Sequence, residues 1–575
     1  MSGRFRLDFP ASLQRLPIRL NSVLAVAAMM TASVVAVGSV VIAADAPKVT
    51  RVYPPGIQRG QTATIRLIGK PGDGPLQLWS DRAQLKCSIN EARDQMTIEA
   101  GADVTPGLHW LRFYNDQGAT PLIPFCVGLI PETAEVEPNN AVSNAQPIDH
   151  SSTTVTGVLE KTDDVDLFRV RLPAGKTFVA TVRANEDLKS PMDASLQLLD
   201  ESGTVLLHND DDHGFDPQLT WTPDRDCECL VRIFAFPAAP NSTIRLAGGA
   251  DYVYRLTLTT EAVVDHTRPM VIENGKPTDL QLQGWNLPQN VRTISSTDAQ
   301  QEVLADGLAL PFALTTNQTP GDVESPKGDQ ELKTPGSITG VISQAKEADR
   351  YTLPGTKGRR VTLQCQAQKW KSPLDPLMTV TDASGKVIRE VDDSSRNDFD
   401  ILTDVTFPDD QPLTITVTDR FQSGSDRHFY LLSATEIVPH YAAALKEDAY
   451  LLPRNKPLEI TVTIDRKYNF QEPITVSIED LPEGISAAPV VSEKEGDSAK
   501  SVKLKLEASP TAPGFSGLVR IVCASADSGM KRIAQTSNSL PDAGVWLTLT
   551  PPPAAPEKDT EPAAKPEEAA SKPGP

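Results

Sequence analysis

A block pattern that returns in constant register constrains this chain more than any other feature. Leu188-Lys189-Ser190-Pro191-Met192-Asp193 recurs 182 residues later as Trp370-Lys371-Ser372-Pro373-Leu374-Asp375. At the same offset, Leu199-Asp200-Glu201-Ser202-Gly203-Thr204-Val205 returns as Thr381-Asp382-Ala383-Ser384-Gly385-Lys386-Val387, and Asp210-Asp211 as Asp392-Asp393. Three matched blocks in one register mean a duplicated module, so the fold must contain that module twice. The Asp-x-Ser-Gly block lies between two alternating runs, which predicts a β-hairpin whose glycine supplies a positive φ.

A chain of 575 residues is too long for one core and predicts several domains. With 48 prolines, 35 glycines and few aromatics, it suits many short strands joined by turns. The fold class expected is all-β: tandem β-sandwiches after an N-terminal signal segment. The formal net charge of −20 disfavours nucleic acid and anionic membrane surfaces as partners, and suits solubility or hydrated divalent cations.

Residues 1–44 read as an export signal. Arg4, Arg6, Arg15 and Arg19 precede an uncharged run from Val23 to Ile42, and small residues follow. Cleavage is expected after Ala43 or Ala44. The run is also long enough to span a bilayer if left uncut. Either outcome places the bulk of the chain in the periplasm, on the cell surface or outside the cell. Six cysteines are too few for a disulfide-built scaffold. Cys87 and Cys126 fall in one segment and can bridge; Cys227 and Cys229 share a strand face, where a bridge is strained.

The alternating patterns divide the chain into an immunoglobulin-like sandwich over 47–132, a long sandwich over 133–262, a small β unit over 263–320 and a second long sandwich over 321–436. A last immunoglobulin-like sandwich spans 442–550, and 551–575 is a Pro/Ala/Glu tail with nothing to bury. Gly275 to Gly284 echoes Gly60 to Gly69. The duplicated object is therefore a pair, small sandwich followed by long sandwich.

The first long unit opens with Glu135-Val136-Glu137-Pro138-Asn139-Asn140 and continues through Gly157 to Asp163-Asp164-Val165-Asp166-Leu167-Phe168. This resembles the bacterial pre-peptidase C-terminal domain family, over Glu135–Thr260 and more weakly over Asp322–Thr435. The resemblance implies jelly-roll-like sandwiches appended to secreted enzymes or strung along surface proteins. It also implies a calcium site, carried here by Glu135, Glu137, Asn139, Asn140, Asp163 and Asp166. Calcium takes roughly six to eight hard oxygens at flexible distances, and two acidic segments meeting at a sandwich edge can supply them. The second unit departs from the pattern: it opens Asp322-Val323-Glu324-Ser325-Pro326-Lys327, and Lys346 stands where Asp163 stood. A lysine there argues against a cation. Asn209 to His213 reads as a solvated acidic loop.

No catalytic constellation is present in the sequence. There is no His-Glu-x-x-His, Gly514-Phe515-Ser516-Gly517 falls short of a nucleophile elbow, and the seven histidines are scattered. Of the tryptophans, Trp370 is the candidate ligand contact, because its counterpart is Leu188 and the fold does not demand an indole there. The reading is an exported, non-catalytic binding or scaffolding protein, calcium-stabilised in its first long unit. The alternative is an accessory or remnant component of a secreted peptidase. An extracellular polysaccharide, matrix protein or surface protein is the kind of partner expected.

Overall fold

The structure, a computed structural model, describes residues 45–212, 214–239, 245–274, 276–288, 293–296, 302–303, 307–317, 321–325, 328–396, 398–536 and 544–552. The expected signal segment and nearly all of the acidic tail lie outside these residues. The architecture is all-β, a series of sandwiches built from short, mostly antiparallel strands. Among the described residues, no helix is long and apolar enough to cross a membrane.

The two long sandwiches agree strand for strand. In the first, one sheet runs in the order Glu132–Ala134, Ser152–Val158, Val253–Thr259, Phe178–Arg183, Gln218–Trp221. The facing sheet runs Gln146–Pro147, Asp166–Leu172, Cys227–Pro237, Met192–Asp200, Val205–Asn209. The second repeats this with Gly321–Val323, Gly336–Val341, Phe429–Glu436, Arg360–Gln366, Ile401–Thr406 against Gln330–Glu331, Ala348–Leu353, Leu413–Asp419, Pro376–Thr381, Val387–Val391. Alternation places Val155, Leu256 and Leu258 in the core. The outward Thr154 and Thr257 are buried as well, and their hydroxyls bond each other at 3.0 Å across the strands, the pairing that a covered polar sheet face requires.

The recurring sequence blocks have local physical causes. In each hairpin one aspartate oxygen collects the turn: Asp200 Oδ1 accepts from Ser202 N, Ser202 Oγ and Thr204 N, and Asp382 Oδ1 accepts from Ser384 N, Ser384 Oγ and Lys386 N. Gly203 and Gly385 take φ of 91° and 83°, which other residues adopt only with strain. The Lys-Ser-Pro block is a platform at the sandwich end. A buried carboxylate, Asp216 or Asp400, accepts three backbone N–H groups of the preceding turn. The lysine turns left-handed (Lys189 φ 55°, Lys371 φ 67°), and the serine hydroxyl bonds a carbonyl opposite, Asp251 O or Arg427 O.

Each platform docks on the small sandwich before it. Leu188 packs with Cys126, Tyr53 and Leu108, and Trp370 packs with Met270, Val271 and Phe429. The small units share a bulge that aids this docking. Lys48–Tyr53 pairs with Thr62–Lys70, and Val263–Arg268 with Thr278–Trp285, and each register shifts beside a glycine, Gly69 or Gly284. A Cβ there would lie 2.2 Å from Lys48 O or 2.1 Å from Val263 O. Ion pairs seal the two junctions with opposite polarity. The first small sandwich offers Arg51 to Asp251 at 3.2 Å, whereas the second offers Asp265 to Arg427 at 3.2 Å.

Further contacts link units distant in sequence. Arg427 also reaches Asp212 of the first long sandwich at 3.1 Å, and Asn286 exchanges two hydrogen bonds with Thr177. The last sandwich, whose strands include Leu458–Lys467 and Phe515–Ala524, touches the second long unit through Tyr468 and Asp404. It also returns to the first sandwich, where Trp546 meets Trp79 edge-on and Tyr114 at a tilt, and Arg112 pairs with Asp448 at 2.6 Å. All six cysteines are free thiols. Cys87 and Cys126 lie on opposite sheets, and Cys126 packs outward against Leu188, so the bridge left open by sequence is not made.

Arg112 is 2% exposed, and its removal would strand the Asp448 carboxylate in a covered interface. Arg112→Ala is therefore expected to cost roughly 3 kcal/mol in denaturant unfolding of the full chain, and to make the first and last sandwiches separately cleavable in limited proteolysis. Unchanged unfolding and cleavage would show that this junction contributes little.

Candidate metal centre

The candidate ligands of the first long unit gather where its opening loop crosses the sheet edge. Glu135 is fixed by its backbone N–H to Thr156 O at 2.9 Å, and its Oε2 accepts from Val158 N at 2.7 Å. Asp166 begins its strand fully buried, with Oδ2 accepting from Tyr254 Oη at 2.6 Å. Glu137 comes from the loop above, held by Asn139 N donating to its Oε2 at 2.9 Å. One oxygen from each of Glu135, Glu137 and Asp166 falls within 4.8 Å of the other two. Among the described residues no other group of three acidic, histidine or cysteine side chains converges so tightly.

Electrostatics make this cluster unusual. Burial, and then the charge of Glu135, raises the Asp166 carboxyl far above its ordinary range, and burial also raises Glu135. Tyr53, whose hydroxyl bonds Thr156 O from the preceding sandwich, is pushed up to about 12 by burial and by Glu135. Two buried oxygens here have no hydrogen-bond partner in the protein: Asn139 Oδ1 and Asp166 Oδ1. Unsatisfied buried acceptors beside mutually repelling carboxylates are costly alone. They fit a hard cation, which needs such oxygens and removes the repulsion.

The six sequence candidates are not all brought together. Glu135, Glu137, Asn139 and Asp166 converge. Asn140 donates to Asp164 Oδ1 at 2.7 Å and supports the loop instead. Asp163 is exposed on a left-handed turn residue, φ 66°. Its neighbour Asp164 is the buried one, with Oδ2 accepting from Glu160 N at 2.6 Å. The Asp-Asp pair hid this, because only the turn geometry decides which carboxylate faces inward. Tyr254 is a participant the sequence reading missed, and Gly157, quoted within the motif, was given no role there. A signal existed for both, since the repeat pairs them with Tyr430 and Gly340, where Tyr430 Oη likewise donates to Asp349 Oδ2 at 2.7 Å.

The second long unit differs for a reason other than Lys346. That lysine is exposed at φ 68°, the same outward turn position as Asp163, and bears on no cluster. The loop is what changes. Gln146 and Gln330 close their loops by the same two bonds, to Val136 N and Ala134 O or to Ser325 N and Val323 O. Ten residues, Val136–Ala145, are enclosed in the first unit and five, Ser325–Asp329, in the second. The shorter loop has no counterpart of the Glu137–Asn140 segment. Tyr351, standing where the first unit has Phe168, instead adds a hydroxyl bonded to Tyr430 at 2.6 Å.

Trp370, the candidate ligand contact, is half-buried against Met270 and Val271 of the preceding unit. Its indole Nε1 has no partner in the protein. None of the six tryptophans is exposed.

Two outcomes follow from this geometry. Burial, then Glu324, pushes Asp349 up to about 8, whereas an unfolded aspartate titrates near about 3.9. The folded chain thus holds this proton more tightly, and the stability it lends below about pH 4 is lost as pH rises toward 8. Asp349→Asn should flatten the fall in melting temperature between about pH 5 and pH 8; an unaltered slope in thermal melts would refute the assignment. Separately, a Cβ at Gly157 would sit 2.3 Å from the Tyr254 ring and 2.7 Å from Glu135 Oε2. Gly157→Ala should lower stability by roughly 1–3 kcal/mol in denaturant titration.

The sequence matches no family model and no curated protein. Solved structures similar to parts of it include the pre-peptidase C-terminal domain of a Bacillus anthracis collagenase, at 11% identity, covering 19% of this chain and 98% of that one, with a TM-score of 0.15. Fibronectin(III)-like modules from Clostridium thermocellum match at 10% identity over 40% of this chain and 92% of that one, TM-score 0.12. A protein of a Bacteroides ovatus mixed-linkage glucan utilization locus, in complex with a mixed-linkage heptasaccharide, matches at 9% identity over 68% and 75%, TM-score 0.12. Scores this low carry no argument about function.

Proposed function

We propose that the chain is an exported, non-catalytic binding or scaffolding protein whose first long sandwich is stiffened by one calcium ion. The observation that carries the calcium reading is the convergence of Glu135, Glu137 and Asp166 within 4.8 Å beside the unpartnered Asn139 Oδ1. These side chains offer hard oxygens only, from carboxylates and an amide, the donor set of calcium rather than of softer metals. The ion ties the Glu135–Asn140 loop to the Asp166 strand. Because Tyr53 of the preceding sandwich bonds Thr156 O at 3.2 Å next to Glu135, stiffening this edge also steadies the junction between the first two units. The scaffolding reading is supported by the contacts among the sandwiches, which hold distant parts of the chain in fixed register.

Calorimetric titration of the full chain with calcium should give one site and a higher melting temperature, reversed by chelation. Asp166→Asn and Glu137→Gln should weaken binding at least about ten-fold, while Asp163→Ala leaves it unchanged. Equal loss in Asp163→Ala, or no calcium-dependent shift, would overturn the site as drawn.

A further inference from the structure

Four sandwiches meet around a cleft of about 470 Å³, a size and a setting at a domain junction common for small-molecule sites. Its wall takes Leu108 from the first sandwich, Gln218 from the first long unit, His266 and Met270 from the second small unit, and Trp370 and Phe429 from the second long unit. Neither duplicated pair forms it alone.

Three of these side chains carry a buried polar atom with no partner in the protein: Gln218 Nε2, His266 Nε2 and Trp370 Nε1. Each is costly to leave unpaired. Their roles are set by chemistry. The amide and indole nitrogens donate. His266 Nδ1 faces the Asp265 carboxylate at 3.1 Å and must donate to it, and burial pushes the imidazolium down, so Nε2 is a bare acceptor.

Lys371, whose ammonium burial disfavours, stands in the field of Asp187, Asp216 and Glu186, and the other buried charges in the wall are matched. Arg183 lies 3.5 Å from Asp187, Asp216 accepts three backbone N–H groups, and Asp265 is bound by Arg427 and His266. Nothing in this balance calls for a charged ligand. The rest of the wall is apolar and aromatic, with Phe429 stacked on His266 at 3.9 Å.

We propose that this four-way junction binds a neutral carbohydrate of mono- or disaccharide size. Its hydroxyls bond Gln218, Trp370 and His266, and its C–H face lies on the aromatic wall. Hydroxyls serve as donor and acceptor at once, which suits two donors and one acceptor, and sugar C–H faces pack well on aromatic rings. The inference is independent of calcium, since the cleft shares no residue with the Glu135–Asp166 cluster.

The test titrates the full chain with single neutral sugars (glucose, galactose, maltose and cellobiose), up to high millimolar concentration, by calorimetry and tryptophan fluorescence. At least one should bind saturably with one site per chain, with or without chelator. Gln218→Leu should weaken that binding roughly ten-fold, and Trp370→Phe should weaken it and remove the fluorescence change. Saturable binding by none of the four, or binding unaffected by Gln218→Leu, overturns the proposal. Because the glutamine variant alone decides the matter, a Trp370→Phe chain that fails to fold does not rescue it.

Discussion

The structure depends on a buried carboxylate that collects three backbone N–H groups at the end of each long sandwich. Asp216 and Asp400 do this work, and each organises a one-turn platform that would otherwise leave amide donors buried without partners. Because the platform is rigid, the residue at its tip, Leu188 or Trp370, meets the preceding small sandwich in a fixed orientation. The Lys-Ser-Pro block survives in both copies because the joint needs it. A residue facing open solvent there would be free to drift.

Much of this was legible in the sequence because its cause is local. The hairpin turn and the all-β class followed from alternation and glycine placement. What sequence could not settle was direction. Asp163 and Asp164 are adjacent and identical, and only a left-handed turn sends the first outward and the second inward. Lys346 misled for the same reason, since a like position on that turn faces away from the cluster. The decisive difference between the copies is a five-residue change in loop length. It becomes readable once Gln146 and Gln330 are recognised as the same closing residue.

The contacts between sequence-distant units were beyond reach of pattern reading. Arg112 and Asp448 stand 336 residues apart and carry no motif, yet their pair is among the best covered in the molecule. Trp546 shows how the aromatic content is used: few rings, placed where sandwiches meet. Such joints bring side chains from four units to one cleft.

The opposite polarity of the two junction ion pairs has a consequence for assembly of the chain. Duplicated modules carry complementary surfaces twice, so each small sandwich meets two near-identical docking sites while the chain is folding. If the first small unit settled on the second long unit, Arg51 would face Arg427. The reverse error would set Asp265 against Asp251. Both mistakes bring like charges together, whereas both correct pairings bring opposite ones together. Divergence after duplication has thus left the two junctions marked by charges of opposite order.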